Sequence, residues 1–136
     1  MGRHKLQKNG FDCGVAAVAI IADCSYGKVL RRCPVDKMLK RGLNLKEIGS
    51  LLNGLTGVPW VGRFSRLESL EWLHETMRCS VYLVLLKVSG EKFGHYVAVI
   101  DGAVYDPWDA KPVPMELYGK RHWKPWRVFV SLIPWF

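Results

Sequence analysis

The chain has 136 residues and four cysteines, Cys13, Cys24, Cys33 and Cys79, yet no C-x-x-C pair. That argues against a structural zinc ribbon, and Cys24, Cys33 and His74 lack the spacing of a metal site. Long apolar runs are absent too. The run VYLVLLKV at 81–88 is too short to cross a bilayer as a helix. The opening MGRHKLQKNG has no apolar core of a secretory signal, and Leu6 stands where a myristoylation pattern wants Ser or Thr. There is no internal repeat, low-complexity stretch or linker. These absences lead us to expect one domain spanning 1–136, cytoplasmic, with reduced thiols and with neither metal nor organic cofactor.

Acidic residues are scarce: 12 Asp and Glu against 20 Lys and Arg, a net charge of +8. Such a balance steers weakly toward an acidic protein partner. The basic residues are scattered through GRHK, VLRRC, DKMLKR and GKRHWKPWR, and none of these is a long arginine-rich arm. Nucleic acid is therefore not the expected partner.

What is present is a large apolar inventory. Hydrophobic residues make up 49% of the chain, with six tryptophans, five tyrosines and five phenylalanines, enough for a substantial core. CGVAAVAIIAD, after Asp12 as cap, predicts a mostly buried helix ending near Asp23, followed by a loop in CSYGK. PVDKMLKR predicts a short helix with proline at its first turn. NLKEIGSLLNG predicts another, opened by an Asn44–Glu47 capping box and stopped by Gly54. SRLESLEWLHETMR predicts a third substantial helix, with Ser65 and Glu68 at capping-box spacing and Leu67, Leu70 and Leu73 on its apolar face. After Arg78 the texture changes. Segments 80–88, 95–101, 103–106 and 127–133 are rich in β-branched and aromatic residues and read as strands, with Asp101-Gly102 as a hairpin turn. Helices first and antiparallel strands second make an α+β fold, with the helices packed on one face of the sheet.

Cys13 opens the first helix. Thiolate, not thiol, is the nucleophile, and the positive end of a helix dipole favours the anion. A nucleophilic cysteine needs a base. Of the four histidines, His95 stands out, because it opens the strand HYVAVI after SGEKFG. A third group must orient the imidazole. Asp106, in VYDPW, follows on the adjacent hairpin strand, with Asp109 as its rival. Acyl transfer also develops an oxyanion, for which the Gln7 side-chain amide and the Cys13 backbone N–H are candidate donors. Gly14, Gly94 and Trp108 are candidate substrate contacts. Cys24, Cys33 and Cys79 read as structural.

QKNGFDCGVAAVAI followed by GHYVAVIDGAVYDPW resembles the papain-like cysteine peptidases of the bacteriocin-processing type, which remove double-glycine leader peptides. The likeness covers about residues 6 to 108. It implies a papain-like fold and a thiol peptidase acting on a peptide or protein. Gln7 would serve the oxyanion, Cys13 would be the nucleophile, His95 the base and Asp106 the orienting residue. QKNGFDCGV alone is also similar to proteases of ubiquitin-like proteins, but there histidine and aspartate precede the cysteine. We expect no transporter segment after Phe136, and so the expected substrate need not be a double-glycine leader. Two alternatives stand beside peptide cleavage. One is transglutaminase- or deamidase-like acyl transfer on the same fold. The other is a catalytically inactive basic binding module.

Overall fold

A computed structural model describes residues 12–34, 36, 42–64, 69–77, 80–88 and 94–133. Six antiparallel strands form one sheet in the order β1-β6-β2-β3-β4-β5. They are β1 (Trp60–Phe64), β2 (Val81–Lys87), β3 (His95–Ile100), β4 (Ala103–Tyr105), β5 (Val113–Pro114) and β6 (Lys124–Ser131). The α+β class expected from the sequence is the one observed.

Helix α1 (Cys13–Ala22) is buried at every position from Gly14 to Ile21. A helix this apolar on all sides belongs inside a core rather than on its rim. It ends at Asp23, whose left-handed conformation (φ 56°) turns its N–H back to the last carbonyls. Asp12 stands at the N-cap, but its side chain makes no capping bond. Its buried carboxylate instead accepts from the Tyr26 hydroxyl. Tyr26 opens α2 (Tyr26–Leu30), a short helix where a loop was expected. Ser25 caps it, accepting from the Lys28 N–H at 3.1 Å.

Of segment 34–41 only Pro34 and Asp36 are described, so the helix expected there lies outside the described residues. Helix α3 (Leu45–Thr56) carries the expected capping box: Asn44 accepts from the Glu47 N–H and Glu47 from the Asn44 N–H. It does not stop at Gly54. Glycine in a helix interior is tolerated, and the helix runs on to Gly57, whose φ of 73° is a left-handed turn that glycine adopts at no steric cost. Within the predicted segment 65–78, helix α4 is described over Leu70–Met77. Ser69 accepts from the Trp72 N–H at 3.1 Å, and the Ser65–Glu68 box and Leu67 lie outside the described residues.

Helices cover both faces of the sheet, not one. On one face α1 and α3 pack Val18, Ile21, Ile48 and Leu52 with Leu83, Leu85, Tyr96, Ala98 and Ile100. On the other, Leu70 and Leu73 of α4, with Met115 and Tyr118 of the one-turn helix α5 (Met115–Tyr118), join Tyr82, Val84, Val97, Val99 and Val128. The cause is legible in β2. Six consecutive apolar residues, Val81 to Leu86, are all buried, which requires cover on both sides. Among the described residues no helix is long and apolar enough to cross a membrane.

The β3–β4 hairpin is the expected one. Ile100 pairs with Ala103, and Asp101 and Gly102 both have positive φ, 49° and 81°, the geometry of a two-residue turn matched to strand twist. Sequence 112–123, with two prolines and a glycine, carries no element predicted from the sequence. It forms β5, α5 and a 3-10 turn, Gly119–Arg121.

Candidate active site

Cys13 is the first residue of α1 and is half-buried. Its backbone N–H is among the first four of the helix, which have no partner within it. Gly14 behind it is buried. A methyl there would meet Ile48 at 3.0 Å and Leu43 and Tyr96 at 3.3 Å. Core packing on that side favours glycine over any larger residue. Gln7 lies outside the described residues.

His95 opens β3, paired with Leu86 of β2. Gly94 before it admits this close approach, since a Cβ would fall 2.5 Å from Leu85 Cδ1 and 3.2 Å from the Leu86 carbonyl oxygen. The His95 side chain is 1% exposed. Its Nε2 lies 2.5 Å from Asp106 Oδ1. Its Nδ1 has no hydrogen-bond partner among the described residues. Asp109, the rival carboxylate, receives Arg121 instead.

Asp106 is fully buried, at the end of β4, where the chain leaves the sheet. Oδ1 also accepts the Trp108 N–H at 2.8 Å, and the Asp109 N–H returns to the Asp106 carbonyl at 2.9 Å. The aspartate thus closes its own turn. Oδ2 accepts from the Tyr118 hydroxyl at 2.6 Å and from Arg121 Nη1 at 3.4 Å. Trp108 stacks on the imidazole, with ring centres 3.6 Å apart and planes at 18°, while 45% of it remains exposed. Trp123 meets the same ring edge-on at 6.4 Å. His95 is thereby gripped at Nε2 and on one face.

Electrostatics follow from this cage. Burial acts to lower the His95 pKa, but the Asp106 hydrogen bond, the Cys13 thiol and the charges of both outweigh it and raise it to about 9. Cys13 therefore acts on the ring, and Nδ1 is the nitrogen left for it. For Asp106 burial acts upward, yet the bond and charge of His95, the Tyr118 hydroxyl and the Trp108 N–H hold its pKa below the usual aspartate value. Tyr118 is pushed up, first by burial and then by Asp106, so it remains a donor.

These shifts have a consequence for stability. A pKa raised in the folded state favours folding below histidine's ordinary value of about 6.5, and that contribution is lost as pH rises through about 9. Thermal unfolding scanned from pH 6 to 10 is expected to lose stability more steeply in the wild type than in His95→Ala. Equal slopes would contradict a charged, paired His95.

Nothing in the sequence singled out Tyr118 or Arg121, because a tyrosine and an arginine in ELYGKR give no sign of which carboxylate they meet. The other reactive side chains lie apart from this cluster. His74 Nδ1 pairs with the Tyr82 hydroxyl at 2.8 Å. Cys33 donates to the Val29 carbonyl at 3.3 Å, and burial, then the Glu47 charge, pushes its thiol up to about 11, the behaviour of a structural cysteine. Cys24 packs against the core, and Cys79 lies outside the described residues. Among the described residues no group of three His, Cys, Asp or Glu side chains could hold a metal ion.

No protein-family model and no curated protein matches the sequence. Among solved structures, the chain is similar to a double glycine motif protease from an AMS/PCAT transporter, crystallised in complex with the leader peptide. The TM-score is 0.58 at 14% identity, over 96% of this chain and 91% of that one. With helices on an antiparallel sheet and a likeness that runs nearly end to end, the chain has the papain-like peptidase fold.

Proposed function

We propose that the protein is a thiol peptidase acting on a peptide or protein substrate. The Cys13 proton rests on His95 Nδ1, and the thiolate sulfur attacks the scissile carbonyl carbon. Asp106 holds Nε2 and stabilises the imidazolium. The Cys13 N–H, with the Gln7 amide, receives the developing oxyanion. As the intermediate collapses, the C–N bond breaks and Nδ1 returns the proton to the departing amine. Water, deprotonated by the same nitrogen, then cleaves the thioester and releases the acid and the free thiol. Trp108, half-exposed over His95, would line the substrate cleft.

One observation carries this reading: His95 is anchored through Nε2 on Asp106, its Nδ1 has no hydrogen-bond partner among the described residues, and Cys13 acts on the same ring. The fold likeness to a protease crystallised with a leader peptide supports a peptide as substrate. The test is incubation with a proteome-derived peptide library, reading new N-termini by mass spectrometry. Cleavage by the wild type and none by Cys13→Ala is expected. Conversion of glutamine to glutamate, or cross-linking, would replace hydrolysis of the chain by acyl transfer. An unchanged library would favour a binding module.

A further inference from the structure

We propose that Arg121 is a positioning residue for the His95–Asp106 pair, which ties the turn at 106–109 in place and offsets the two carboxylates on it. The inference rests on the peptidase reading of the same site. Arg121 ends the 3-10 turn Gly119–Arg121. Its Nη2 donates to both oxygens of Asp109, at 3.0 and 2.8 Å, and its Nη1 reaches Asp106 Oδ2 at 3.4 Å. The guanidinium lies over the Tyr118 ring at 4.5 Å and the Trp123 ring at 5.3 Å, and those two rings meet edge-on at 6.1 Å. One planar cation thus spans two carboxylates and two aromatic faces, a set of contacts that lysine cannot reproduce.

The location gives these contacts a role in the chemistry. Asp106 and Asp109 bracket Trp108, which covers His95. A fork on Asp109 and a reach to Asp106 fix both ends of that segment. Among the described residues, the charged and titratable groups acting on His95 are Asp106 and Cys13. Asp106 is faced from outside by Tyr118 and Arg121, and Arg121 by Asp109 and Tyr118. Arg121 is the cation of this cluster. Without it, Asp106 acts on the imidazolium with less to oppose its charge, and His95 keeps its proton to higher pH. Without the Asp109 charge, Arg121 opposes Asp106 more fully, and His95 releases its proton earlier. Arg121 is 31% exposed, so solvent screens the effect to about half a pH unit to one unit in either direction.

Carboxymethylation of Cys13 by iodoacetate reads this without a known substrate. The thiolate sulfur bonds to the reagent carbon and iodide leaves. An imidazolium beside the thiolate draws in the anionic reagent, so the rate falls when His95 loses its proton. Rates are measured against pH and located at Cys13 by peptide fragmentation. The wild type is expected to give a bell with its falling limb near pH 9. Arg121→Met should move that limb up and Asp109→Asn should move it down, each by about half a unit to one unit. A merely structural clasp lowers melting temperature in both variants and moves neither limb. If both limbs coincide with the wild type, or both move the same way, the role given to Arg121 is wrong. If the wild type gives no bell, or His95→Ala keeps it, the base assignment itself fails and takes this inference with it. Asp109→Asn leaves the Asp106 contacts intact, so it decides the matter even where Arg121→Met does not fold.

Discussion

Cys13→Ala is expected to remove turnover on any peptide that the protein cleaves, by about 10⁴-fold or more, since loss of the attacking atom leaves only binding and oxyanion stabilisation. The substitution should hardly disturb the fold. Cys13 is half-buried at the helix tip, and α1 is held by the eight residues behind it, Gly14 to Ile21, all buried. Removing one sulfur at that edge costs about 1 kcal/mol, well inside the margin of a domain this size. Circular dichroism and melting temperature check the fold, and product analysis checks the chemistry. An alanine variant that folds and still cleaves would exclude Cys13 as nucleophile.

The second large effect is expected at the pair behind it. His95→Ala should lower turnover by about 10²–10⁴-fold, the usual worth of a positioned acid–base group. Asp106→Asn should act differently. An amide oxygen can still accept from Nε2, but the charge that supports the imidazolium is gone, and the amide nitrogen confronts Arg121 and the Tyr118 hydroxyl. The buried ring then loses its main opposing influence to desolvation. The falling limb of the Cys13 carboxymethylation profile should move from near pH 9 down toward the ordinary histidine value of about 6.5. Turnover at neutral pH falls in step. A limb that stays near pH 9 in Asp106→Asn would show that the charge on His95 has another source.

Much of this architecture was legible in the chain because the signals were local. The apolar run after Cys13, the Asn44–Glu47 box and the Asp101-Gly102 turn each specify their structure within a few residues. The hairpin turn also brought His95 and Asp106 within reach of each other from sequence alone. Tertiary partners decided the rest. Asp12 reads as a cap, but the Tyr26 hydroxyl takes its carboxylate, and that contact needs α2 to be folded. Gly54 reads as a stop, yet the left-handed turn falls at Gly57, three residues on. The outer shell of Asp106 was illegible for the same reason. Tyr118 and Arg121 sit on a segment whose prolines and glycine look like a loop, and its one-turn helix forms against the sheet's second face. That second layer follows from the double-sided burial of β2, a property of a whole strand that no short motif announces.

The most direct test of the account is a ¹⁵N NMR titration of the His95 imidazole in the wild type and in Cys13→Ala. A proton on Nε2 across the titration and a pKa near 9 are expected in the wild type, the pKa falling when the thiol is removed, because Cys13 helps to raise it. Identical titration curves for the two proteins would mean that sulfur and ring do not share a proton, and the thiol peptidase described here would have no base.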